Sequence, residues 1–193
     1  GKCLAPGIVD VGVKVCETGE RHKESFRSAG LAAAAGGVTT LITRPDTQPA
    51  TDSPETLEFL RKRALSACIV KTHQMATLTK GRQGQEMTEL SFLQDAGAVA
   101  FTDCDAVVSD TKVLARALTY ASQLDVLVIG HPQDPGLSSG ASATSGKFAS
   151  LRAIPAVSPM AERLGLERDI AMVEMTNVKY HACLLYTSDA ADE

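Results

Sequence analysis

Apolar, β-branched runs recur along the chain, and most are followed by a segment with helical periodicity. Residues 8–15, IVDVGVKV, are entered through Pro6-Gly7 and predict a buried strand. Alternation along it sets Asp10, Gly12 and Lys14 on one face. A polar loop, 16–22, leads into a helix over 23–35 that is rich in alanine and stopped by Gly36-Gly37. Residues 38–43, VTTLIT, predict a second strand, ended by Arg44-Pro45. Ser53 caps the next helix, with Pro54 at its first position and Leu57, Leu60 and Leu65 on one side. Further strands are predicted at 68–72, 98–102, 126–130 and 178–182. Helices are predicted over 87–96, 111–123 and 159–175. Two loops stand out, 79–85 and the Gly/Ser-rich 132–147.

Strands therefore alternate with helices, and each strand is nearly continuously apolar, as when both faces are covered. That pattern predicts a parallel α/β sheet. No GxGxxG follows the first strand, which argues against a dinucleotide-binding doubly wound sheet. Polar residues fall instead at the expected C-terminal ends of strands: Lys14, Arg44, Asp46, Thr72, His73, Asp103 and His131. A barrel carries its site at that end. The expected fold is an α/β, (β/α)8 TIM barrel, incomplete at about six strand–helix units, in one domain over 1–182. Residues 183–193, CLLYTSDAADE, resemble the translation of a sequencing adapter and read as a non-native tail.

Composition narrows the function classes. A net charge of −4 leaves no basic footprint, so no nucleic-acid partner is expected. No apolar run approaches the ~20 residues of a membrane span, so no membrane partner is expected either. Five cysteines (Cys3, Cys16, Cys68, Cys104, Cys183) are an odd count without paired spacing. Free thiols and a cytoplasmic location follow as the expectation.

Several blocks carry a specific resemblance. APGIVDVGVKV, 5–15, resembles the APGxVDxHxH metal strand of the cyclic amidohydrolases. Residues 19–52 resemble GxxxKE…AAAAGGxTTxxxMPNTxPxxD, and 79–103 resemble TKGxxGxExxE…AGxVAFSD. HPQDPGL, from His131, resembles HxEDxxL. Together these blocks are similar to the dihydroorotases. Dihydropyrimidinases and allantoinases share the first block but use a carboxylated lysine on the fourth strand, and AVAFTD contains none. The resemblance implies a barrel of the metal-dependent amidohydrolase type and a hydrolase that opens the cyclic amide of dihydroorotate in pyrimidine biosynthesis. In active relatives zinc supplies the hydroxide and polarises the carbonyl.

The departures from the family pattern sit at its chemical positions. Gly12 and Lys14 occupy the two histidines of HxH. Cys104 falls at the bridging aspartate, flanked by Asp103 and Asp105, and His131 remains as a remnant ligand. The substrate-gripping arginine falls on Cys16, and the asparagine of MPNT on Asp46. No catalytic residue is assigned and no zinc is expected. A plainer reading makes His131 a hydrogen-bonded leftover and pairs Lys14 with Asp10, Asp46 or Asp103, because a buried ammonium needs a counter-charge. The expectation is a non-catalytic dihydroorotase-like subunit, part of an oligomer, with aspartate carbamoyltransferase as its partner. The alternatives are an active metal-dependent dihydroorotase and another cyclic amidohydrolase.

Overall fold

A computed structural model describes residues 3–186, so part of the expected tail, 187–193, lies outside the described residues. The chain forms two compact units, 1–102 and 103–193.

The first unit contains β1 (Ile8–Val13), α1 (Phe26–Ala35), β2 (Val38–Thr43), α2 (Pro54–Ala67), β3 (Lys71–Ala76), α3 (Leu90–Asp95) and β4 (Ala98–Phe101). β1 pairs with β2, β2 with β3 and β3 with β4, all parallel. α1 and α2 start where a side chain satisfies an open N–H group, whereas α3 has no side-chain cap. Ser25 and Ser28 form a reciprocal capping box on α1. Ser53 caps α2, and Pro54 needs no N–H partner there. Phe26, Ala29 and Ala33 of α1 meet Leu60 and Ala64 of α2 over Leu41 of β2 and Val15. These small and branched side chains bring helix and sheet close together.

Four expectations change here. Among the described residues β1 is an edge strand bonded only to β2, and Ile8, Val9 and Val11 are about half exposed (56%, 54% and 51%), so the buried-strand expectation fails. The buried face of α2 is Leu57, Leu60 and Ala64, and Leu65 points outward at 77% exposure. The third strand lies later than the apolar run at 68–72 suggests. Cys68 ends α2, Ile69 is exposed, and the strand runs on through buried Gln74, Met75 and Ala76. Thr72 and His73 are therefore in the first half of β3, not at its C-terminal end. The helix expected from 87 starts only at Leu90. Met87 bridges to Thr79, and the Thr88 hydroxyl donates to the carbonyl of Thr77 at 2.7 Å. Extended pairing has captured those residues.

The second unit contains α4 (Thr111–Gln123), β5 (Leu127–Gly130), α5 (Pro135–Ser138), β6 (Ala143–Thr144), α6 (Lys147–Leu151), β7 (Ala156–Val157), α7 (Pro159–Thr176) and β8 (Lys179–Ala182). β5 and β8 pair in parallel, from Leu127 opposite Lys179 to Gly130 opposite Ala182. Asp110 caps α4 by accepting from the N–H groups of Lys112 (2.8 Å) and Val113 (3.2 Å). The stretch expected as a loop, 132–147, instead holds α5 and β6, and β6 pairs with β7 in a small parallel ribbon. The sequence signal for α5 was Asp134-Pro135, a cap followed by an N1 proline.

Candidate functional site

In the first unit the site positions lie at and just beyond the ends of β1 and β2. Gly12 has φ +89°, and the β1–β2 register shifts between Val11 and Val13. This bulge breaks the alternation that placed Asp10, Gly12 and Lys14 on one face. A Cβ at position 12 would meet nothing within 4 Å, so conformation, not crowding, favours glycine there. Lys14 lies just past the strand end, about half exposed, with its Nζ 3.0 Å from Asp46 Oδ2. Arg44 Nη2 donates to the same oxygen at 3.0 Å, while the Arg44 N–H continues the β1–β2 ladder to the carbonyl of Val13 at 2.9 Å. The Asp46 side chain is 2% exposed. Asp46, one of the carboxylates expected as candidates for Lys14, does meet it.

The loop after β1 is fixed by a residue that sequence reasoning missed. Cys16 is half-buried, and its carbonyl accepts from the Glu20 N–H at 2.9 Å. Beside it Glu17 is buried at 4% exposure. Glu17 Oε1 accepts from Arg63 Nε (2.9 Å) and Nη2 (2.6 Å), and Oε2 accepts from the Phe26 N–H at 3.1 Å. Burial pushes the Glu17 carboxyl up. The Arg63 and Phe26 hydrogen bonds and the charges of Arg63 and Arg21 outweigh that, so its pKa lies below the ordinary 4.5. No local signal marks Glu17, because its main partner lies on α2. Two of the resembling blocks also meet here: the Gly81 N–H donates to Asp52 Oδ2 at 3.0 Å.

In the second unit Asp103 and Cys104 are buried, Asp105 is exposed, and Cys104 takes φ +57°. His131 follows β5, with Nε2 3.3 Å from Gln133 Oε1. Its Nδ1 is buried without a hydrogen bond among the described residues. The Asp134 of HPQDPGL is a helix cap, accepting from the Leu137 N–H at 2.9 Å. Gly165 of α7 lets the backbone at Pro132-Gln133 pass close, since a Cβ there would sit 2.4 Å from the Gln133 nitrogen. Behind β5, the Tyr180 hydroxyl donates to Asp169 Oδ2, and Arg168 grips Asp169 Oδ1 at 2.9 and 2.7 Å. Burial, and then the Asp169 charge, raise the Tyr180 pKa above its ordinary 10.0, so the phenol stays a donor. His181 is exposed on β8.

These residues do not fit a zinc ion as the family pattern would hold it. Gly12 offers no donor atom, and Lys14 brings an ammonium already engaged by Asp46. Among the described residues, no three His, Cys, Asp or Glu side chains are gathered to hold a metal.

The family model for dihydro-orotase-like proteins matches residues 1–190. The chain belongs to the dihydroorotase-like family. Dihydroorotase of Geobacillus thermodenitrificans (strain NG80-2) is 34% identical over 190 residues, which is 98% of this chain and 44% of that protein. A dihydroorotase-like protein of Pseudomonas putida is 39% identical over 181 residues, 94% of this chain and 43% of that protein. The chain thus spans less than half the length of these dihydroorotase relatives. Among solved structures, L-hydantoinase (dihydropyrimidinase) from Arthrobacter aurescens aligns with TM-score 0.72 at 18% identity, covering 92% of this chain and 41% of that one. Dihydroorotase from Saccharomyces cerevisiae, solved with 5-fluoroorotic acid, aligns with TM-score 0.63 at 15% identity, covering 90% of this chain and 46% of that one. The fold is part of an amidohydrolase (β/α)8 barrel, as the strand–helix alternation and the motif blocks led us to expect. No helix among the described residues is long and apolar enough to cross a membrane.

Proposed function

We propose that the protein is a non-catalytic dihydroorotase-like subunit of pyrimidine biosynthesis, acting in the cytoplasm as a structural partner of aspartate carbamoyltransferase. The observation that carries the non-catalytic reading is the end of β1. Gly12 sits in a bulge with no ligand atom, and Lys14 holds a cation where the family places a second histidine. A cation beside a cation site opposes metal binding, and the lost donors remove what would offset it. The core does not use these side chains, so the barrel survives their loss. The choice of partner rests on family resemblance alone.

The test uses the full-length protein, purified without chelator. We expect well under one equivalent of zinc and no hydrolysis of dihydroorotate. We also expect co-elution with aspartate carbamoyltransferase from the same source at micromolar concentration. Stoichiometric zinc with hydrolysis establishes the second reading, an active metal-dependent dihydroorotase. That reading is favoured by the dihydroorotase names of several relatives and by the buried Asp103 beside Cys104.

A further inference from the structure

α2 lies between α1 and α3 in the first unit and touches both. Leu60 and Ala64 pack with α1, and the Arg61 guanidinium donates to the carbonyl of Ala96 at the end of α3. Phe59 and Leu65 nevertheless stand 52% and 77% exposed on its outer surface. Both layer neighbours are in place, so a missing helix does not explain that exposure. Two shallow cavities of about 280 and 290 Å³ lie along this surface. Glu58 and Lys62 line both, Leu65 borders one and Phe59 the other, so the two adjoin.

Charge changes sign along the groove. Glu55 and Glu58 occupy the N-terminal half of the exposed face, and Lys62 follows in the C-terminal half. Lys62 reaches Glu58 within the helix at 3.4 Å, yet the two side chains remain 79% and 56% exposed. We propose that this face is where two copies of the chain meet, α2 against α2, antiparallel about a two-fold axis. A two-fold contact sets one patch against itself. Glu58 and Lys62 are placed symmetrically about Leu60 in the sequence. Antiparallel alignment centred there puts Glu58 of each copy opposite Lys62 of the other. It also brings the two Phe59 rings side by side near the axis, sets Leu65 against the other copy's helix start at Pro54, and opposes the helix dipoles. Parallel alignment would set Glu58 on Glu58 and Lys62 on Lys62. The patch is therefore complementary to itself in the antiparallel orientation, and that favours a second copy as its occupant. A standard interface buries about 1,600 Å². One helix face of about four turns supplies less, so the dimer is expected to be no tighter than about micromolar.

The test is sedimentation velocity on the full-length protein across the micromolar range, with the unfolding midpoint recorded for each variant. The native protein is expected to pass from monomer to dimer as concentration rises. Glu58→Lys sets cation on cation across the contact and Lys62→Glu sets anion on anion. Each is expected to weaken the dimer roughly tenfold or more. An equimolar mixture of the two variants restores opposite charges between copies while the pair inside each helix stays broken, and it is expected to dimerise again. Should a reversal unfold the protein, Glu58→Gln, which only removes the pairs, is expected to weaken the dimer about threefold. A native protein that stays monomeric overturns the proposal, whether the rest of the chain or a carbamoyltransferase covers the groove instead. A dimer that none of these changes weakens also overturns it and places the contact elsewhere, as does a mixture no tighter than its components. Zinc content and hydrolysis have no bearing on this outcome, so it is read separately from the non-catalytic proposal.

Discussion

At the scale of single residues, Glu17 ties the loop after β1 to the start of α1 and to Arg63 of α2. A carboxylate whose folded pKa is depressed stabilises the fold above its unfolded pKa, and that stability is lost as pH falls through the folded value. For Glu17 the contribution is complete above about pH 4.5 and disappears below it. Urea unfolding at a series of pH values is expected to show this acid-side loss in the native protein and a shallower one in Glu17→Gln. Arg63→Ala leaves the buried carboxylate with only the Phe26 N–H and distant Arg21, at an expected cost of about 1.5–3 kcal/mol at pH 7. A second residue-scale prediction concerns the lost ligands. Restoring histidines with Gly12→His and Lys14→His places a side chain at φ +89° and removes the Asp46 contact. The variant is expected to lose stability and to hold less than one equivalent of zinc by metal analysis. Recovery of full zinc occupancy with an unchanged melting temperature would contradict this.

At the scale of elements, α1 packs closely on Cys68 at the end of α2. Gly30 lies on the buried side of α1, and a Cβ there would come 2.6 Å from Cys68 Sγ. Gly30→Ala gains up to about 1 kcal/mol of helix propensity. Overpacking costs about 1–3 kcal/mol and is expected to prevail. The measured midpoint should therefore fall, and Gly30→Ala combined with Cys68→Ala should recover much of the loss. The cap of α4 offers a cleaner case. Asp110→Ala removes the acceptor for two N–H groups and is expected to cost about 1 kcal/mol in equilibrium unfolding. Both caps and periodic apolar faces are local signals, and they were legible: Ser53-Pro54 and the bounds of α4 match expectation. The limits of the third strand were not. The run at 68–72 is as apolar as a strand, yet the ladder with β2 begins at Lys71, because register depends on which neighbour is available.

At the scale of the whole molecule, the exposed edge at β1 bears on how the polypeptide behaves in solution. β1 leaves Ile8, Val9 and Val11 about half exposed along an edge. Such an edge templates further pairing. The 193-residue polypeptide by itself is expected to self-associate as concentration rises, and Val9→Lys, an outward charge on that edge, should reduce it in light scattering. The assembly prediction stands at the same scale. Omitting this protein should lower aspartate carbamoyltransferase activity in the co-expressed complex, whereas Gly12→His with Lys14→His should leave co-elution intact. Unchanged activity and separate elution would remove the scaffold role.

The sequence by itself determined the alternation of strands and helices outside the 132–147 stretch, the Ser53-Pro54 start of α2, the Gly36-Gly37 stop of α1, and membership of the dihydroorotase-like family. These rest on periodicity and on neighbours within a few residues, which a linear chain records directly. It also singled out Gly12, Lys14, Cys16, Asp46 and Cys104 as expected departures from the motif the chain resembles, with His131 as a retained match. Only the tertiary structure decided which of these act together. It set Asp46 against Lys14, put the Gly12 bulge between Asp10 and Lys14, made Asp134 a helix cap, and buried Glu17 against Arg63. Each of these is a contact or a backbone conformation set by which strand or helix lies alongside. An ion pair between distant residues has no signature in the chain until folding brings its members within a few ångströms.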